Sequence, residues 1–280
     1  MKDRDCVEFL QWSLPRLRMR WQGFRKVRGQ VCKRIDCRLR ELGLPDAAAY
    51  RMFLETNDAE WATLDALCGI TISRFYRDRE VFRFLEQEVL VTLSEDALAR
   101  GESVLRCWSI GCASGEEPYT LALLWDLVMA RQFPALSLTI LATDRDPLMI
   151  RRAEEGCYKS GSFVGLPAEW RKYAFFRKGE RSCVSDEVRN RVVFLVQDVR
   201  KTASEERYHL ILCRNLAFTY FEPALQQEVL ARISDKLFPG GAFVTGIHES
   251  LPSGCFCFKP WLGGRGIYRK AAEEGHAGAS

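Results

Sequence analysis

WSIGCASGEEPYTLALL, residues 108–124, runs an apolar strand into two glycines separated by three small residues, and then at once into a helix. A glycine turn between strand and helix usually cradles phosphate on backbone N–H groups. Here Glu116 and Glu117 stand where a phosphate would sit. The spacing is not GxGxxG and carries no P-loop lysine, which argues against a nucleoside triphosphate. Gly111 and Gly115 have no Cβ to keep backbone away from a ligand.

Outward from this stretch, short apolar runs alternate with helical segments. VLRCWSIG (104–111), LSLTILATD (136–144), RVVFLVQDV (191–199), YHLILC (208–213) and GAFVTG (241–246) read as strands. Segments 117–130, 147–155 and 223–237 read as helices. Continuous apolar strands between helices predict a parallel sheet covered on both faces. CFCFKPWLGGRGIYRK (255–270) predicts an antiparallel hairpin at the sheet edge. Residues 157–190 interrupt the alternation and read as an insertion with a small hairpin, and 271–280 as a frayed tail.

The first 75 or so residues read as helices: Val31, Ile35, Leu39 and Leu42 recur at helical spacing before Gly43. SRFYRD (73–78) is predicted to open a helix reaching about Leu93. Residues 16–40 hold ten basic side chains and one acid, Asp36, although the net charge is only +4. That charge alone does not argue for nucleic acid.

Eleven cysteines and three histidines contain no CxxC pair, and Cys255 and Cys257 in a strand would point to opposite faces. No metal site is expected. No signal peptide is read, and no apolar run approaches the ~18 residues that span a membrane. The expected compartment is a reducing cytoplasm, with the cysteines as buried thiols.

In an open α/β sheet, ligands bind beyond the carboxyl ends of the strands. Asp144 ends the second strand, where a carboxylate suits a ribose diol. Carboxylates and bare backbone around one small molecule favour a cationic nucleoside without phosphate. S-adenosylmethionine, with its ribose, ammonium and sulfonium, fits. The plainer alternative is that Glu116 and Glu117 only favour the helix N-terminus through its dipole; Asp144 favours the cofactor.

Several stretches, in order, resemble the CheR-type chemoreceptor glutamate methyltransferases: SRFYRD (73–78), WSIGCASGEEPYTLA (108–122), ILATDRDPLMIRRAEEGCY (140–158), LCRN (212–215), TYFEPALQQEVL (219–230) and KLFPGGAFVTGIHESL (236–251). RGQVCKRIDCRLRELGL (28–44) is similar to that family's basic helical domain. The resemblance implies a helical domain at 1–76 and a Rossmann-like class I S-adenosylmethionine-dependent methyltransferase domain at 77–280, with the cofactor between them. It implies cofactor contacts from Thr71, Ser73, Arg77 and Gly111, from Glu117 and Asp144 at the amino-acid and ribose ends, from Asp198 and Val199 beside adenine, and from Cys213 and Arg214. Arg77 and Tyr220 match the family's active-site arginine and tyrosine.

A glutamate carboxylate ionises near pH 4.3, so as methyl acceptor it needs no general base at neutral pH. Alignment and removal of water are then what the protein supplies. Arg77 suits planar pairing with a carboxylate, and Tyr220 can donate a phenolic hydrogen bond. A surface arginine and an interior aromatic beside Phe218 and Phe221 are the plainer readings. Four residues separate Asn215 from Tyr220, one more than the family usually has. Thr71 replaces a usual asparagine, and GIHES (246–250) departs from the usual Gly-His-Ser-Glu order. His248 reads as loop structure.

The insertion looks short for docking a receptor tail by strand addition. The helix bearing Arg34, Arg38 and Arg40 suits an acidic helical segment of a receptor or signalling protein, or is simply a solvated face. Three functions stay open: glutamate O-methylation of a receptor-like protein, methylation of a small molecule or unrelated protein, and non-catalytic S-adenosylmethionine binding.

Overall fold

The computed structural model describes residues 2–271, so the expected fraying of 272–280 lies outside the described residues. Strands follow as β1 (Val104–Ile110), β2 (Ser137–Asp144), β3 (Cys157–Tyr158), β4 (Phe175–Lys178), β5 (Arg181–Val184), β6 (Val192–Val196), β7 (Tyr208–Leu212), β8 (Leu237–Val244), β9 (Phe258–Pro260) and β10 (Ile267–Lys270). Seven form one sheet in the order β6-β2-β1-β7-β8-β10-β9. The first five run parallel, and β10 lies antiparallel between β8 and β9. This is the Rossmann-like parallel sheet that the sequence predicts, with its antiparallel hairpin at the edge. From β1 the order departs in both directions, and in open sheets of this kind ligands bind at such a switch point, here the carboxyl ends of β1 and β7.

The chain divides into two compact units, and the division does not follow the sequence linearly. One comprises the chain through Thr71 together with Leu216–Gln226; the other comprises Ile72–Asn215 and the chain from Gln227 on. The sequence reading breaks the chain after Tyr76 instead.

In the first unit, Val31, Ile35 and Leu39 face the core of the helix Arg28–Glu41, as their spacing predicts. Asp46 caps the next helix, Ala47–Thr56, by accepting from Ala49 N at 2.9 Å. Two arginines that the sequence offers to a partner are used internally. Arg34 donates to the carbonyls of Leu67 and Gly69. Arg38 grips Glu60 with Nε and Nη2 at 2.9 and 2.8 Å, and Tyr50 donates to the same carboxylate at 2.8 Å. Arg38 and Tyr50 together hold that carboxyl below its usual range despite burial.

SRFYRD does not open a helix. Tyr76 and Asp78 take positive φ values of 56° and 61°, and the helix starts only at Arg79. The insertion builds a second sheet in the order β3-β5-β4, with the helix Ala168–Ala174 before β4.

The expectation of unbonded thiols needs two corrections. Cys6 and Cys32 are disulfide-bonded because the helices Asp3–Ser13 and Arg28–Glu41 pack side by side. Cys157 and Cys183 are bonded because they sit opposite each other in the β3–β5 register. Cys255 and Cys257 also depart from expectation. They precede β9 in irregular chain, and their Sγ atoms lie 3.3 Å apart rather than on opposite faces.

Candidate active site

The glycine loop is tied to β2 before it reaches any ligand. Gly111 N and Cys112 N both donate to Thr143 O, at 2.8 and 3.0 Å, while Trp108 Nε1 donates to Thr143 Oγ1 at 3.0 Å. Gly115 has φ 91°, and a Cβ there would sit 2.9 Å from that of Ala153. Only glycine meets both conditions. Asp144 receives Ala113 N on Oδ2 and Asp146 N on Oδ1, each at 2.9 Å. Burial raises its pKa, and these two N–H groups offset part of that cost.

The two glutamates divide their roles. Glu116 is buried and accepts from Ser114 Oγ at 2.9 Å within its own turn. Glu117 accepts from Ser109 Oγ at 2.9 Å and from Arg214 Nη1 at 3.0 Å. Arg214 also donates through Nη2 to Asp78 Oδ2 at 2.6 Å and to Arg77 O at 3.1 Å. Its guanidinium lies 5.3 Å above the Phe82 ring, and its buried Nε has no hydrogen-bond partner. One arginine therefore joins the glycine loop, the end of β7 and the SRFYRD turn. Arg77 itself is half-buried, with its Nη1 on Ile72 O at 2.8 Å. Ser73 is half-buried in the same segment.

Asp198, beyond β6, is bound by Arg200, whose Nη2 lies 2.6 Å from Oδ2 and whose backbone N lies 3.0 Å from Oδ1. Burial pushes this carboxyl up, but the bonds and charge of Arg200 hold it below the usual range. Val199 is buried beside it, and Cys213 is buried where β7 ends. Asn215, at φ 55°, donates its backbone N to Glu249 Oε2 at 2.8 Å, and Gly246 N donates to the same oxygen at 2.7 Å. Glu249 is thus the buried brace of the GIHES loop, and the neighbouring His248 is exposed.

Tyr220 and Thr71 belong to the first unit. After Asn215 and Leu216 the chain makes one helical turn, Ala217–Tyr220. The Tyr220 and Phe24 ring centroids lie 5.0 Å apart, and Tyr220 packs against the helical core. Arg20 fixes this turn: its N donates to Tyr220 O at 2.8 Å, its Nε to Thr219 O at 3.0 Å, and its Nη2 to Phe218 O. A short bridge between Met19 and Phe221 continues the contact. Sequence reading missed Arg20, Asp78, Arg200 and Glu249. Asp78 and Glu249 lie inside quoted motifs, so their signal was present; Arg20 was one of ten similar charges.

Residues 71–260 match the family described as CheR methyltransferase, SAM binding domain. The chain is 34% identical over 186 residues to a chemotaxis protein methyltransferase of Listeria innocua, covering 66% of this chain and 68% of that one. It is 26% identical to one from Borreliella burgdorferi, covering 78% of each. It is also 31% identical to an uncharacterized 104.1 kDa protein of Rhodobacter capsulatus, covering 80% of this chain but only 23% of that protein's length. The glycine loop with its carboxylates, the CRN end of β7 and the SRFYRD turn all fall within the matched residues, and the chain belongs to the CheR methyltransferase family, whose domain binds S-adenosylmethionine.

Proposed function

We propose that the protein esterifies glutamate side chains of a chemoreceptor or a receptor-like signalling protein. The observation that carries this reading is the similarity to chemotaxis protein methyltransferases across the matched region. A glycine loop bordered by Glu117 and Asp144 fits a cationic nucleoside. The partnerless Nε of Arg214 beside that loop is a further polar group for it. In this reading Gly111, Glu117, Asp144, Asp198, Val199, Cys213 and Arg214 hold the cofactor, helped by Thr71, Ser73 and Arg77. S-adenosylmethionine supplies an electrophilic methyl group.

The chain's own residues do the remaining work. Arg77 orients a carboxylate by paired hydrogen bonds, and Tyr220 donates a phenolic hydrogen bond to the incoming oxygen. Arg214 positions Glu117 and the SRFYRD turn together. No residue needs to take up a proton, because the acceptor carboxylate is already ionised near neutral pH.

An acidic partner segment remains part of the proposal. On the helix Arg28–Glu41 the exposed cations for it are Lys33 and Arg40, since Arg34 and Arg38 are occupied internally. Docking of a receptor tail by strand addition is not part of it: β3 and β4, the outer strands of the small sheet, have two and four residues. A cytoplasmic setting is part of the reading, supported by an acceptor that would be a receptor's signalling segment. No described helix is long and apolar enough to cross a membrane.

Labelled methyl transfer to candidate receptor fragments, followed by mild base, tests the proposal. Label released as methanol is expected. Base-stable label would move the activity to another acceptor, and cofactor binding without transfer to any acceptor would leave a binding module.

A further inference from the structure

Among the described residues outside the site just described, the fold brings a pair of thiols into contact. Cys255 Sγ and Cys257 Sγ are 3.3 Å apart, within non-bonded contact of two sulfurs. They are not disulfide-bonded, whereas four other cysteines are. Cys257 is exposed and Cys255 half-buried. Phe256 between them is 90% exposed, so its ring packs little against the pair. The segment consists of turns before β9 begins at Phe258, and Cys257 O accepts from Ala271 N at 2.9 Å. Bond formation needs the sulfurs to close to about 2.05 Å, a movement of roughly 1.2 Å that irregular chain accommodates.

We propose that Cys255 and Cys257 form a thiol–disulfide exchange site whose substrate is a low-molecular-weight disulfide. The exposed Cys257 attacks first. Its thiolate, having lost a proton to solvent, bonds to one sulfur of the small disulfide and expels the other as a thiolate. Cys255 then gives its proton to solvent and attacks Cys257 Sγ, releasing the second small thiolate. Both thiolates are reprotonated: two protein thiols become one disulfide, and one small disulfide becomes two thiols. The order follows from access. Burial and the hydrogen bond with Cys257 push the Cys255 thiol up to about 11, which suits a group that reacts only once its partner sulfur is activated beside it.

The pair also sits in a loop with a second attachment. Glu249, earlier in the same stretch, holds Asn215 N and Gly246 N.

The full chain is incubated with oxidised and reduced glutathione at graded ratios, quenched by alkylation and digested for mass spectrometry. Exposed Cys37 serves as the internal control for reagent access. The expected result is loss of two hydrogens on the peptide carrying both cysteines, with closed peptide exceeding glutathione adduct by about tenfold because the second thiol is already in contact. Cys255→Ser should trap the adduct on Cys257, and Cys257→Ser should give neither closure nor adduct. The proposal is overturned if wild-type protein accumulates the adduct without closing, or if the pair stays reduced while Cys37 reacts.

Discussion

At the scale of single residues, the site depends on how its charges are paired. Arg214 is 2% exposed at its side chain and faces two carboxylates, Glu117 and Asp78. Removing it strands both, so Arg214→Ala should cost about 3–5 kcal/mol of unfolding free energy, read by urea denaturation. Arg214→Lys should recover only part of this, since an ammonium cannot reproduce the fork. Asp144 differs, because its partners are two backbone N–H groups that water can satisfy once a cavity opens. Asp144→Ala should weaken S-adenosylmethionine binding by about 10- to 100-fold in calorimetry, the range of one or two hydrogen bonds to a charged group. Unchanged affinity would remove Asp144 from the cofactor site. Asp144, Glu117 and Arg214 were readable because each ends or follows an apolar run. Their partners were not, since nothing in the order of residues places Arg214 beside Asp78.

At the scale of elements, two segments show what packing adds. The turn Ala217–Tyr220 is held by Arg20 and lies against Gly23, where an added Cβ would collide with Thr219 O. Gly23→Ala should therefore shift the turn carrying Tyr220. On the proposed role of that tyrosine, kcat should fall at least about tenfold while cofactor affinity holds, as for Tyr220→Phe; fluorescence titration and initial rates separate the two. The second segment is the β1–β7 pair. His209 accepts Arg106 N on Nδ1 at 3.0 Å, so Nε2 carries the proton that meets Glu102 Oε2 at 2.6 Å. Burial lowers its pKa, although Glu102 opposes the shift. The unfolded chain therefore takes up a proton near pH 6.5 while the folded one still refuses it. Stability is full above that pH and declines as pH falls towards the folded value. Thermal melts from pH 7.5 to 5 should show this decline, and His209→Gln should flatten it. A slope unchanged by the substitution would assign the effect elsewhere.

At the scale of the whole molecule, the parallel sheet was legible because its strands are continuous apolar runs, a local property. Thus β7, YHLIL, is buried at all five positions. Long-range pairing is not local, and there the reading failed: it left Cys6, Cys32, Cys157 and Cys183 unbonded and gave Arg34 and Arg38 to a partner. It also divided the chain once, although Leu216–Gln226 returns to the helical unit. Each disulfide closes a sequence separation of 26 residues, one in each unit. Loop-closure entropy gives each about 3.5 kcal/mol, realised by restricting the unfolded chain. Because the bonds lie in different units, their effects should be separable. Cys6→Ser should lower the stability of the helical unit, seen as earlier loss of protection in hydrogen exchange at Val31, Ile35 and Leu39. Cys157→Ser should leave those amides unchanged and loosen the β3–β5 pairing instead. Loss of protection in both units from either substitution would mean that the chain unfolds as one cooperative body, and the division into two would then describe packing but not stability.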